Sequence, residues 1–181
     1  MTDINFKHKV LTPVNADGGA GSTEPNLRWD FVELLFFAYR DFVGDADHVL
    51  EAFGFGRAHH RVVHFVTRYP GLKVADLLNV LRITKQSLGR VLKQLLDEGY
   101  IVQKAGDSDR RQRLLFATPK GEALVLKLAG LQTARISRAL EAMDPVGADH
   151  VRQFLAGMID QEDPDKVLDV ILKSGRVRSR S

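Results

Sequence analysis

From residue 27 onward, apolar residues recur at helical spacing, interrupted at a few glycines and prolines. Between Leu27 and about Val43, Phe31, Leu34, Leu35 and Phe42 line one side of a helix, and Val32, Phe36, Tyr39 and Val43 line another. A helix apolar nearly all round must be covered on both sides, and in a chain this small a second subunit is the expected cover. A shorter helix over Asp47–Phe53 is expected next, ending near Gly54 and Gly56. Arg57–Tyr69 reads as a helix stopped by Pro70-Gly71. Val74, Leu77, Leu78 and Leu81 fall at i, i+3, i+4 and i+7, a short single-faced helix. After a break at Arg82-Ile83, Thr84 is a good N-cap for a second helix with Leu88, Val91, Leu92, Leu95 and Leu96 inward. Gly99 suits the position just past its end. Two amphipathic helices this close in sequence form a helix-turn-helix.

Two strands are predicted next, Tyr100–Lys104 (YIVQK) and Arg113–Ala117 (RLLFA), joined by the polar, turn-forming segment AGDSDRRQ. A hairpin directly after the second helix of a helix-turn-helix is a wing. Thr118-Pro119 opens a long helix to about Met143, since proline is tolerated in a first helical turn, and Asp144-Pro145 breaks it. Val151, Phe154, Leu155 and Met158 mark another amphipathic helix, and Val167–Leu172 a last short one. Residues 1–26, with ADGGAGSTEPN, show no apolar period and read as a mobile arm; residues 174–181 (SGRVRSRS) read as a basic, frayed tail. The fold class expected is mainly α with a small β-hairpin wing: a winged helix-turn-helix over 56–118, between dimerisation helices at 27–55 and 119–173.

Composition removes whole classes of function. The 181 residues contain no cysteine, so disulfides, thiolate metal sites and cysteine nucleophiles are excluded. No apolar stretch approaches the roughly 18–20 residues of a membrane span, and the N-terminus lacks the apolar core of a signal peptide, so a cytoplasmic location is expected. No phosphate-cradling glycine motif, Gly-x-Ser-x-Gly elbow or His-Glu-x-x-His is present, and the carboxylates are scattered; an enzyme is not expected. The net charge is only +3, but its distribution is uneven. Arg57 to Arg113 holds twelve basic and five acidic residues, whereas the rest of the chain is slightly acidic. A basic middle of this kind is the footprint of a nucleic-acid reader.

The segment from about Gly56 to Leu124 resembles the MarR family of bacterial transcription regulators. The resemblance is carried by Asp109-Arg110-Arg111 in the wing, then a strand, then Thr118-Pro119-Lys120-Gly121, together with the helix-turn-helix before them. It implies an obligate homodimer on a pseudo-palindromic operator in double-stranded DNA. One departure stands out: the turn between the two helices commonly carries glycine, and here carries Arg82. A left-handed Arg82 would cost on the order of 1 kcal/mol, which its charge could repay by reaching a phosphate; alternatively the turn differs slightly, and the angle between the two helices with it.

With the leucines of the second helix inward, Gln86, Gly89, Arg90 and Lys93 face out, flanked by Lys85 and Ser87. In a helix-turn-helix the N-terminal part of this helix meets the major groove. Glutamine bonds adenine bidentately, arginine bonds guanine, and serine serves either. Gln86, Ser87 and Arg90 are therefore the expected base contacts, with Thr84, Lys85 and Lys93 on phosphates and Gly89 leaving room for close approach. The wing adds Arg110, Arg111 and Arg113, suited to a narrow minor groove, and Asp109 to orient a neighbouring arginine. Substituting Arg111 by alanine is expected to weaken DNA binding severely while sparing the dimer.

Members of the family commonly respond to small ligands, often aromatic acids, bound between the dimerisation helices and the DNA-binding lobe. Six of the ten phenylalanines lie between Phe31 and Phe55, although core packing and dimer contact explain them more simply. Arg61, His64 and Arg68 are the candidate ligand contacts. His60 and His64, at i and i+4, could face one metal or haem, with His59 nearby. They lack a third ligand, so no metal and no cofactor is expected. The favoured reading is a homodimeric, ligand-responsive DNA-binding regulator, expected to be a repressor. The alternative is a winged-helix protein-interaction module without specific DNA binding.

Overall fold

A computed structural model describes residues 27–106 and 112–159. The chain runs α1 (Trp29–Glu51), α2 (Arg57–Arg68), β1 (Leu72–Lys73), α3 (Val74–Leu81), α4 (Lys85–Asp97), β2 (Ile101–Ala105), β3 (Arg113–Ala117), α5 (Pro119–Glu141) and α6 (Gly147–Gly157). The architecture is mainly helical with a small antiparallel sheet.

One expectation needs correction. The separate helices at 27–43 and 47–53 are one 23-residue helix, α1. Gly44 lies in its middle without breaking it, because a single interior glycine costs only about 1 kcal/mol and no proline lies within the helix. The predicted wing hairpin is present as β2 and β3, and a short strand joins it. The sheet has three strands in the order β1-β3-β2, with Leu72 opposite Leu115 and Lys73 opposite Leu114. Gly71 turns the chain into β1 at φ +86, and its N–H donates to the Leu115 carbonyl at 2.8 Å. A two-residue strand has too few positions to show an alternating pattern, so only the Pro-Gly signal was visible in the sequence. The Val167–Leu172 helix, the N-terminal arm and the C-terminal tail lie outside the described residues.

The core forms around α2, which packs against α3, α4, α5 and β3. Val62, Val63 and Val66 of α2 are wholly buried with Leu77, Leu88, Leu95, Leu115 and Leu128 from those neighbours. Burying side chains of this size stabilises the fold by roughly 1.5–3 kcal/mol each. Leu50, near the end of α1, is buried in the same cluster. The N-terminal two-thirds of α1 instead holds much of its apolar surface outward: Trp29, Leu34 and Phe36 are more than 60% exposed.

Thr118 to Gly121 join the wing to α5. Thr118 Oγ1 caps α5 by accepting from Gly121 N at 3.1 Å, and donates to the Gly99 carbonyl at 2.7 Å. Lys120 Nζ donates to the Glu98 carbonyl at 2.8 Å and lies 4.1 Å from the Tyr100 ring centre. Gly121 sits so close to this corner that a Cβ there would fall 2.2 Å from the Tyr100 carbonyl oxygen. The Thr-Pro-Lys-Gly segment therefore clamps the end of α4 to the start of α5.

Candidate nucleic-acid interface

The outward face of α4 is built from its cap upward. Thr84 Oγ1 accepts from Ser87 N at 3.1 Å and donates to Ser87 Oγ at 3.0 Å. The Thr84 proton is thus committed, while the Ser87 hydroxyl keeps its own proton for an outside acceptor. Leu88, Val91, Leu92 and Leu95 are buried against the core. That leaves Lys85, Gln86, Gly89, Arg90 and Lys93 exposed on one side. An added Cβ at Gly89 would meet no atom within 4 Å, so its surroundings are open. Lys93 pairs with Asp97 one turn on. Among the described residues, Lys85 and Arg90 make no ion pair.

The turn before α4 holds a conformation that side chains rarely adopt. Arg82 has φ 48 and ψ 46, the one non-glycine residue with positive φ among those described. Its N–H donates to the Leu78 carbonyl at 3.0 Å, closing α3. Of the two possibilities for this turn, a left-handed Arg82 or a differing turn, the left-handed residue is the one present.

Beside α4, β2 and β3 form the body of the wing, with Ala105 opposite Arg113 and Lys104 opposite Leu114. Arg113 is exposed at the start of β3. Asp109, Arg110 and Arg111 lie outside the described residues. Lys104 was not singled out from the sequence. It is exposed on β2, with its ammonium 5.0 Å from the centre of the Phe116 ring. Its signal was its place beside the charged turn that carries Arg110 and Arg111, which a search confined to the turn itself passes over.

A cleft of about 500 Å³ lies where α1, α2 and α5 meet. Tyr39, Phe42 and Phe65 give it aromatic walls, and Arg57, Arg61, His60, His64 and Gln132 give it polar ones. Arg61 and His64, two of the three candidate ligand contacts, both line this cleft. Arg68 does not line it, standing one turn beyond His64. Arg57 and His60 were missed as cleft residues because their facing partner, Asp47, comes from the part of α1 expected to be a separate helix. Arg57 Nε donates to Asp47 Oδ2 at 2.8 Å, which raises the guanidinium pKa.

The His60 and His64 rings stand perpendicular, 6.3 Å apart. Burial pushes both below the usual 6.5, opposed at His60 by the Asp47 charge and reinforced at His64 by His60 and Arg68. His59 points elsewhere. It stacks on Phe55 at 4.8 Å and accepts from Gly56 N through Nδ1 at 3.1 Å, which leaves Nε2–H to donate to Gln94 of α4 at 2.8 Å. Among the described residues no three His, Asp or Glu side chains group as metal ligands. No described helix is long and apolar enough to cross a membrane.

A helix-turn-helix with a capped, basic second helix, a three-stranded wing and flanking long helices has close parallels. The MarR family model matches residues 53–112. The HTH-type transcriptional regulator PetP of Rhodobacter capsulatus is 44% identical over 129 residues, which are 71% of this chain and 78% of that protein. The chain belongs to the MarR family. Two solved MarR structures share its fold. A putative MarR family regulator from Listeria monocytogenes, complexed with a 26mer DNA, superposes with a TM-score of 0.63 at 17% identity, covering 77% of this chain and 92% of that one. The Mycobacterium tuberculosis MarR family protein Rv2887, complexed with salicylic acid, gives 0.51 at 21% identity, covering 70% and 93%. PetP and the Listeria protein are both named as transcriptional regulators.

Proposed function

We propose that this MarR-family regulator acts in the cytoplasm as a homodimeric repressor, reading a pseudo-palindromic operator through α4 and the wing. The observation that carries the reading is the α4 face itself: buried leucines and valine on one side, and Lys85, Gln86, Arg90 and an open Gly89 on the other. Gln86, Ser87 and Arg90 contact bases. Thr84, Lys85, Lys93 and Arg82 meet phosphates, with Lys93 exchanging Asp97, and the Thr84 hydroxyl exchanging Ser87, for a phosphate oxygen. Arg110, Arg111, Arg113 and Lys104 serve the wing, and Asp109 orients an arginine. The apolar residues exposed on α1, and Phe154 and Leu155 of α6, suit the surface a second copy would cover.

The cleft between α1, α2 and α5 is proposed to take a small aromatic carboxylate. Its volume falls within the range of ligand sites, its walls combine aromatic rings with two arginines, and a fold relative was crystallised with salicylic acid. Arg61 and His64 are the contacts; Arg68, outside the cleft, is not carried forward.

Base and phosphate contacts separate in one experiment, a selection of binding sites from random DNA with wild type and single variants. Gln86→Ala and Arg90→Ala should each relax preference at defined base positions and cost about 1–3 kcal/mol. Lys85→Ala should weaken all sequences alike and lower the salt slope by about 1. Unaltered base preference in Gln86→Ala and Arg90→Ala would remove α4 as the reading element.

A further inference from the structure

α2 holds the helix-turn-helix by two polar ties. At one end of the reading helix, His59 Nε2 donates to Gln94 at 2.8 Å. At the turn, Arg61 Nη2 donates to the Leu81 carbonyl at 3.1 Å. Leu81 is the last residue of α3, where carbonyls run out of helical partners. The left-handed Arg82 follows at once, then the Thr84 cap of α4. The Arg61 bond therefore fastens α2 to the point where α4 leaves α3. Of the two ties, only the one made by Arg61 borders the cleft.

Arg57 and Arg61 are the cations of the cleft wall, and they differ in one respect. Arg57 already holds the Asp47 carboxylate. Among the described residues, Arg61 holds only a neutral carbonyl oxygen. A guanidinium binds a carboxylate through two parallel charge-assisted bonds, about twice as strong as bonds between neutral groups. A carboxylate entering the cleft would compete for Arg61 with the Leu81 carbonyl on favourable terms.

We infer that Arg61 is the residue that couples the cleft to DNA binding: a carboxylate ligand draws its guanidinium off the Leu81 carbonyl, and the turn before α4 loosens. This rests on the effector reading above, and it adds the route by which an occupied cleft lowers DNA affinity. Linkage requires the converse, that bound DNA weakens carboxylate binding by the same factor.

The test uses the full chain, with Arg61→Met and Arg61→Lys beside wild type, and salicylate as the probe. Amide hydrogen exchange is read across residues 82–85 without DNA, affinity is read on a selected DNA site, and salicylate binding is measured by calorimetry. Arg61→Met is expected to exchange about tenfold faster at the turn and to bind DNA about tenfold more weakly with an unchanged salt slope. Arg61→Lys, which can still donate to Leu81, should restore both. Salicylate should reproduce the Arg61→Met behaviour in wild type and add nothing in Arg61→Met. Unchanged turn exchange in Arg61→Met overturns the inference, as does a salicylate response that survives in that variant. If calorimetry finds no salicylate on wild type, the carboxylate-effector reading fails and the inference goes with it. A fast-exchanging turn in Arg61→Met would then mark Arg61 as a structural tie alone.

Discussion

Replacing Arg82 by glycine should move stability and DNA affinity in opposite directions. At φ 48 and ψ 46, Arg82 sits where its Cβ crowds the backbone. The left-handed state costs a non-glycine residue about 1–2 kcal/mol, and glycine removes that cost. Glycine also loses more freedom on folding, by roughly 0.5–1 kcal/mol, so the backbone terms leave a net gain of about 0–1.5 kcal/mol. For a chain of this size that raises Tm by up to roughly 6 °C. On DNA, the variant loses the proposed phosphate contact, so its plot of log affinity against log salt should flatten by about 0.9. Arg82→Lys keeps both charge and strain, and should match wild type in each respect. Thermal unfolding and fluorescence anisotropy over a salt series read the two halves separately. A lower Tm in Arg82→Gly would refute the strain argument, and an unchanged salt slope would refute the phosphate contact.

Gly121→Ala should destabilise the fold by about 2–4 kcal/mol, because a Cβ 2.2 Å from the Tyr100 carbonyl forces the clamp between α4 and α5 apart; urea unfolding checks this, and a loss under 1 kcal/mol would show that the corner yields. Gly89→Ala should instead stabilise the free protein by about 0.5–1 kcal/mol, since its surroundings are open and alanine is the better helix former, while weakening DNA binding if α4 seats against the groove at that point. His60 and His64 are held below their usual 6.5 by burial, so the unfolded chain takes up protons first as pH falls. The stability they contribute is present above about pH 6.5 and is lost as pH drops toward their folded values. The fall in urea midpoint between pH 7.5 and 5.5 should therefore be smaller in a His60→Gln, His64→Gln double variant; an equal fall would place the acid sensitivity elsewhere.

The sequence was most legible where a local rule acts alone. Thr84 and Thr118 cap their helices as their positions suggest, and the buried face of α4 follows from leucine and valine spacing. The left-handed Arg82 was visible as a missing glycine. Tertiary contacts hid the rest. β1 exists because β3 offers it an edge, and α1 runs through Gly44 because its later part packs into the core with Leu50. The cleft was half legible: Arg61 and His64 were read as candidate ligand contacts, but Arg57 and His60 were not, and Asp47 and Gln132 reach it from helices distant in sequence. Arg68 continued the α2 series beyond the end of the cleft, which helical spacing alone does not reveal.

Specific DNA recognition through α4 is tested most directly by fluorescence anisotropy against DNA from upstream of the protein's own gene, with excess random competitor, over a salt series. Tight binding that survives competitor, falls steeply with salt and is lost in Arg90→Ala is the expected result. Absence of binding even at low salt, to this fragment and to a random-sequence pool alike, would contradict the account and favour a winged helix that docks proteins instead.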